Sequence, residues 1–368
     1  MISSVKYRLT KARAHLDIPL LIVVLILMTA GLITVFSATY DEGESRVYSQ
    51  AINMILSLIV MLIAAQVSPQ QLMRFAVPLY LLGLALLIGV AFFGIVVNGS
   101  RRWLSLGVVR IQPSEIMKIA MPLMLAWYFH KHEALINAKT FTVATLILLI
   151  PIAFILKQPD LGTSILVGAA GFFVIFFAGL SWKTLFGLAI SACAAFPFIW
   201  ERLHDYHRRR IMTLFDPTSD PLGAGYHIIQ STIAIGSGGT FGKGWLNGTQ
   251  THLKFIPEKH TDFIFAVFSE EWGLVGSAFL IILFICLVSR GLMIAAAAPS
   301  LFSRLLAASI SMVLFSYAFV NMGMVSGILP VVGVPLPLFS YGGTALITLM
   351  LGIGILMSIH THRVLIKK

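Results

Sequence analysis

Residues 18–38 read IPLLIVVLILMTAGLITVFSA, an apolar run without a single charge. At 1.5 Å of rise per residue, about 20 such residues match the hydrocarbon thickness of a bilayer. The run follows a basic start, MISSVKYRLTKARAH (1–15). It is too long for the apolar core of a signal peptide. No cleavable signal is therefore expected, and the run reads as a first transmembrane helix that stays. The composition agrees. Of 368 residues 58% are hydrophobic and only 11% charged, where soluble domains carry about a quarter charged residues. A net charge of +11 would suggest nucleic acid for a soluble chain. Here it reads as lysine and arginine on the cytoplasmic side and phospholipid contact, with no nucleic-acid partner. Cys193 and Cys286 both lie in apolar runs, so neither a disulfide nor a metal site is expected from them.

Nine further runs follow, at about 50–66, 75–97, 111–129, 140–156, 161–180, 182–200, 263–288, 304–327 and 341–359. The expected fold is an all-α polytopic membrane protein of ten transmembrane helices, a single domain over 1–368. With the N-terminus inside, the cytoplasmic segments carry thirteen Lys and Arg: Lys6, Arg8, Lys11, Arg13, Arg74, Lys131, Lys139, Lys183, Arg290, Arg304, Arg363, Lys367 and Lys368. The short outer loops carry five, namely Arg46, Arg101, Arg102, Arg110 and Lys157. That asymmetry places both termini in the cytoplasm. The segment 201–262, between the seventh and eighth spans, is then a large extracytoplasmic loop, and its YHIIQSTIAIG stretch suits a short amphipathic helix on the membrane surface.

On this topology the unusual chemistry gathers on one side. NGSRRWLSLG (98–107), QPSE (112–115), KQPDLGTS (157–164), PEKHTDFIFAVFSEEWG (257–273) and GILPVVGVPLPLFSYGG (327–343) all fall at outer ends of spans. Glu115 and Lys118 stand three apart, on one helix face, and can pair. Pairing there reads equally as bracing or as function. Arg101 and Arg102 suit lipid headgroups or a phosphate, and Arg208, Arg209 and Arg210 suit a solvated face or a phosphate. Asp160 and Asp262 each precede a helix, where a carboxylate caps free N–H groups, and the helix dipole is expected to keep Asp262 charged at low pKa. Glu270 and Glu271 lie two turns deeper, roughly 12 Å along the axis, and their cost in lipid points them into the bundle as support.

These motifs, together with DPLGAGYHIIQS (220–231), AIGSGG (234–239), GKGWLNGTQ (242–250) and the closing MSIHTHR (357–363), resemble the SEDS family of shape, elongation, division and sporulation proteins over essentially the whole chain. GKGWLNGTQ and the short N-terminal segment favour its elongation branch. The resemblance implies ten spans with a long outer loop between the seventh and eighth. It implies a peptidoglycan glycosyltransferase that polymerises lipid II, a disaccharide-pentapeptide on undecaprenyl diphosphate, at the outer face of the bacterial cytoplasmic (inner) membrane. The family's essential aspartate maps onto Asp262, as general base on the acceptor 4-hydroxyl. Arg101, Arg102, Arg208, Arg209, Arg210 and Lys243 become candidates for the departing diphosphate, and Mg2+ or another divalent cation is the one candidate cofactor there. No dedicated metal-ligand cluster is visible. A class B penicillin-binding protein and the elongation machinery are the implied partners, the former through its membrane helix on spans eight and nine. Two other readings stay open: a flippase for the same lipid, and a non-catalytic scaffold that activates the penicillin-binding protein. A flippase should show polar groups on both sides or inverted repeats, and the sequence shows neither.

Overall fold

The structure, a computed structural model, describes residues 16–362 apart from Glu44, 98–99, 106–109, Pro159, 203–204, 221–222, Lys254 and Pro257. The terminal cations counted for orientation (Lys6, Arg8, Lys11, Arg13, Arg363, Lys367 and Lys368) lie outside the described residues. A helix stands at each predicted span: α1 (Ile18–Thr39), α2 (Ser45–Gln66), α3 (Pro69–Phe93), α4 (Pro113–Lys131), α5 (Ala138–Lys157), α6 (Leu161–Phe177) and α7 (Trp182–Arg202). The segment that follows holds α8 (Asp205–Phe215), α9 (Ala224–Ser237) and the short α10 (Thr249–His252). Then come α11 (Ile264–Ala296), α12 (Leu301–Val325) and α13 (Thr344–His362). Seven of these, α1, α2, α3, α5, α11, α12 and α13, are long and apolar enough to cross a membrane.

Local chemistry sets the boundaries. The Asp17 carboxylate accepts the Leu20 N–H (3.0 Å) ahead of Pro19 in the first turn of α1. Ser68 with Gln71, and Asn137 with Thr140, close reciprocal capping boxes at α3 and α5, each satisfying two helix-end donors. One expectation needs correction. The third helix spans 69–93, not 75–97, and the fold is not purely helical. Gly94 leaves the helix in an extended conformation. The β-branched run that follows then pairs in a small antiparallel sheet, Ile95–Val97 with Ser100–Ser105 and the latter with Arg110–Ile111. Branched side chains favour that pleat.

The helix with the weakest hydropathy among the expected spans, α4, is buried along most of its length. It packs against α3, α5, α6, α12 and α13, which is where a span carrying Glu115 and Lys118 must sit. The two ends of the bundle differ. Connections at one end are short (67–68, 132–137, 178–181 and 297–300), and there Arg290 of α11 donates to Asp17 (2.6 Å). The other end carries the sheet, the 203–263 segment and the 326–343 loop.

α11 is not continuous. Gly273 breaks it with φ +65° and ψ −160°, and the glycine-rich segment 238–244 fills the break. The N–H groups of Lys243 and Gly244 donate to the carbonyls of Glu270 and Glu271 (both 3.0 Å). Those of Leu274 and Val275 donate to the carbonyls of Gly239 (2.9 Å) and Thr240 (3.1 Å). Four backbone bonds thus replace those the break removes, as a helix set among apolar neighbours requires.

Candidate active site

The 327–343 loop is the hub on which the outer motifs meet. Phe339 lies against Gly31 of α1, where an added Cβ would stand 2.6 Å from its carbonyl oxygen. From α2, Gln50 donates to the Ser340 carbonyl (3.1 Å) and accepts the Gly342 N–H (3.2 Å). Gly162, two residues after Asp160, packs on Val332 so closely that a Cβ would be 2.6 Å from its carbonyl oxygen. Gly333, at φ +72°, faces the Asp262 carboxylate.

Asp262 stands where the tight turn 258–261 meets α11. Glu258 takes a left-handed φ of +48°, and its carbonyl accepts the N–H groups of Thr261 (3.1 Å) and Phe263 (3.3 Å). Non-glycine residues hold such angles at a cost and cluster at functional sites. As a whole residue Asp262 is partly exposed. Its titration differs from expectation. Burial pushes the carboxyl up, to about 6, Glu258 beside it pushes the same way, and Arg210 draws it back. The expected low value fails because Asp262 does not cap: Phe263 holds the N-cap position, and no side chain caps α11. Desolvation and a like charge therefore outweigh the helix dipole.

The other predicted residues divide. Asp160 caps α6 through the Thr163 N–H (3.1 Å), as expected of it. Its second oxygen accepts from Gln112 (3.3 Å) and faces Arg102 at 3.7 Å, so Arg102 is held against a carboxylate. Arg101 on the adjoining strand position is exposed. The three consecutive arginines have three fates. Arg208 donates to the Trp200 carbonyl (2.6 Å) and lies over its ring, Arg209 is exposed, and Arg210 acts on Asp262. Arg46, which the sequence offered only as an outer-loop charge, lies 3.2 Å from His260 Nδ1.

The FtsW/RodA/SpoVE cell-cycle protein family model matches residues 18–365. The chain belongs to that family. Its SEDS resemblance is borne out, and so is the affinity to RodA. The chain is 52% identical over 361 residues to peptidoglycan glycosyltransferase MrdB of Escherichia coli K12, covering 97% of this chain and 96% of that protein. It is 35% identical to a probable peptidoglycan glycosyltransferase FtsW of Geobacter metallireducens, over 94% of this chain and 95% of the relative. Among solved structures, a chain of a peptidoglycan synthase complex that coordinates polymerization and crosslinking superposes with TM-score 0.82 at 34% identity, covering 94% of this chain and 98% of that one. RodA of Thermus thermophilus, a rod shape determining protein, superposes with TM-score 0.72 at 29% identity, over 94% and 97% of the two chains. With its apolar helices, this SEDS chain is a multi-pass inner-membrane protein.

Two buried charge groups of the SEDS chain stand apart from Asp262. Lys118 donates to Glu115 (2.6 Å) and to the hydroxyl of Tyr317, so the pair read from spacing is formed, with a third member that no sequence signal offered. Glu115 also borders an apolar groove of about 390 Å3 between Leu79, Ile111, Thr344 and Ile347. Deeper in α11, Glu270 is fully buried. It accepts from Lys243 Nζ (2.7 Å), Thr249 Oγ (3.0 Å) and the Gln250 N–H (3.0 Å). Lys243 is thereby turned inward, bonded also to Thr249 (2.7 Å), and its charge is matched by a carboxylate. Glu271 accepts from Ser37 of α1.

Proposed function

We propose that this chain is a peptidoglycan glycosyltransferase of the elongation type, polymerising lipid II at the outer face of the cytoplasmic membrane. Asp262 removes the proton of the acceptor 4-hydroxyl as that oxygen attacks the donor's anomeric carbon with inversion. The anomeric C–O bond breaks and undecaprenyl diphosphate leaves with the electron pair. The observation that carries this reading is the setting of Asp262: a carboxylate raised to about 6 by burial, facing Gly333, next to a strained turn and under the influence of Arg210. A carboxylate in that range is charged at neutral pH and a better base than an ordinary aspartate.

The topology supports it. Ten helices coincide with ten spans, so we read all ten as crossing, with both termini inside and 201–262 outside. The leaving diphosphate needs positive charge. Arg101, Arg209 and Arg210 are assigned to it by charge and side, and Arg210 also draws down the Asp262 carboxyl. Arg102, Arg208 and Lys243 are each engaged with protein oxygens, which fits them to shape the loops around the diphosphate. A divalent cation such as Mg2+ would supply further charge neutralisation at the diphosphate. Among the described residues no group of three or more His, Cys, Asp or Glu stands ready to hold one, so no residue is assigned to it.

The test is direct. Purified protein with its penicillin-binding partner, transpeptidation blocked, should convert labelled lipid II into glycan ladders. Absence of ladders with lipid scrambling across vesicles would favour the flippase, and ladders of equal strength from the complex carrying Asp262→Asn would favour the scaffold.

For that partner we infer the groove between α11 and α12, about 420 Å3, whose apolar lining includes Phe265, Ile285, Phe315, Phe319 and Met322. A single membrane helix of a class B penicillin-binding protein suits it. Phe315 and Phe319 lie nearly parallel in an offset stack, ring centroids 5.6 Å apart, and stand exposed. Replacing both with alanine is expected to weaken co-purification of the partner by at least 10-fold, the loss typical of aromatic anchors, with the helical fold intact. Unchanged co-purification would remove this face.

A further inference from the structure

Three consecutive carbonyls of the segment that carries Asp262 are each held by a donor from outside it. The Tyr341 N–H donates to the His260 carbonyl (2.8 Å). The Ser340 hydroxyl donates to the Thr261 carbonyl (2.6 Å) while accepting the Leu336 N–H (2.7 Å). The Asn321 amide donates to the Asp262 carbonyl (2.8 Å). With these peptides fixed, the carboxylate retains only its own two torsions.

Asn321 does more than complete the set. Its Nδ2 carries two protons, and the second goes to the Val334 carbonyl (2.7 Å). Val334 follows Gly333, the residue that faces Asp262 Oδ2; a Cβ added to Gly333 would stand 3.4 Å from that oxygen. One carboxamide therefore hangs both the peptide of Asp262 and the wall against its carboxylate. The amide's orientation follows from the network, since a flipped side chain would aim an oxygen at two carbonyl oxygens. Asn321 is fully buried in α12, and its Oδ1 is buried without a partner, a cost that an apolar residue of similar shape would avoid.

We propose that Asn321 is a positioning residue for glycosyl transfer, setting the spacing between Asp262 and the 333–334 wall, with Ser340 as its second support. This rests on the polymerase reading above. A misplacement of the order of 1 Å costs about 10²-fold in rate, so the clamp acts on turnover and not on affinity.

The experiment compares Asn321→Leu, Ser340→Ala and Ser340→Thr with wild type, each as the full chain in complex with its partner, on lipid II with transpeptidation blocked. Asn321→Leu is expected to lower kcat about 10²-fold with KM for lipid II unchanged, and to move the acid limb of the pH–rate profile, which reports the Asp262 carboxyl. Ser340→Ala should show a smaller change of the same kind. Ser340→Thr, which keeps the hydroxyl, should restore both readouts, and this pair carries the test if Asn321→Leu fails to fold. Activity that falls only with the folded fraction, at unchanged pH profile and kcat per folded molecule, would overturn the positioning role and leave the polymerase reading standing. A wild-type complex that makes no ladders would overturn the polymerase reading itself and this inference with it.

Discussion

Asp262→Asn is expected to lower glycan polymerisation by about 10²–10⁴-fold, the usual contribution of a general base, while raising the Tm of the protein. Both follow from one cause. Burial and Glu258 hold the Asp262 carboxyl at about 6, above its ordinary 3.8, so the charged form that catalysis needs is the form that the fold disfavours. The folded state then binds the proton more tightly than the unfolded chain. Stability is greatest below the unfolded value and declines as pH rises through the folded one. Above that window the penalty is complete. Two pKa units correspond to a ceiling of about 3 kcal/mol, which solvent access at the site reduces. Asparagine removes the penalty and the base together. Activity of the wild type should rise with pH through about 6 and level off above it. The neighbours give the sign its check: Glu258→Gln should move that limb to lower pH, and Arg210→Ala to higher pH. Pre-steady-state or ladder-intensity rates across pH would measure it. A limb that ignores both neighbours, or an asparagine variant with wild-type ladders, would remove Asp262 as the base.

Much of this was legible in the residues. Long apolar runs have one physical solution in lipid, and every run that the sequence marked became a helix. Helical spacing put Glu115 and Lys118 on one face, where they could pair, without fixing that they do. What spacing does not carry is the partner from a distant element. Tyr317, which completes that pair, lies in another helix 199 residues away. Asn321 had a signal, a lone carboxamide in an otherwise apolar span, but nothing local says which carbonyls it will hold. The differing settings of the cations were not legible for the same reason. Charge and side made Lys243 and Arg208 look like Arg210, whereas packing gave Lys243 to Glu270 and Arg208 to Trp200. The pKa of Asp262 went astray because a helix start was read as a cap. One residue of offset, Phe263 in the cap position, removes the stabilisation that capping would have supplied.

The broken helix supplies the other large effect, and a graded one. Gly242→Ala and Gly273→Ala are each expected to destabilise the protein by several kcal/mol, on the order of 3–5. Gly273 holds φ +65°, and a Cβ there would stand 2.3 Å from the Gly242 nitrogen. Gly242 holds φ +82°, and its Cβ would stand 2.0 Å from the Glu271 carbonyl oxygen. In both cases the obstacle is backbone, which cannot swing aside as a side-chain tip can. Separating the strands of this stitch strands the carbonyls of Glu270 and Glu271 and the N–H groups of Leu274 and Val275 in apolar surroundings, where each unpaired group costs several kcal/mol. The loop also holds Lys243 on Glu270, so its displacement would take the counter-charge from that buried carboxylate as well. Gly239 is the control for strain alone: its φ is +54° and nothing lies within 4 Å of an added Cβ, so Gly239→Ala should cost only about 1–2 kcal/mol. Gly236, helical and with open space about it, should gain up to about 1 kcal/mol on replacement by alanine. Tm values in one detergent, with the partner present, rank the four. Equal Tm for Gly236→Ala and Gly273→Ala would mean that the stitch holds nothing, and that the segment bearing Asp262 is supported from the 327–343 side alone.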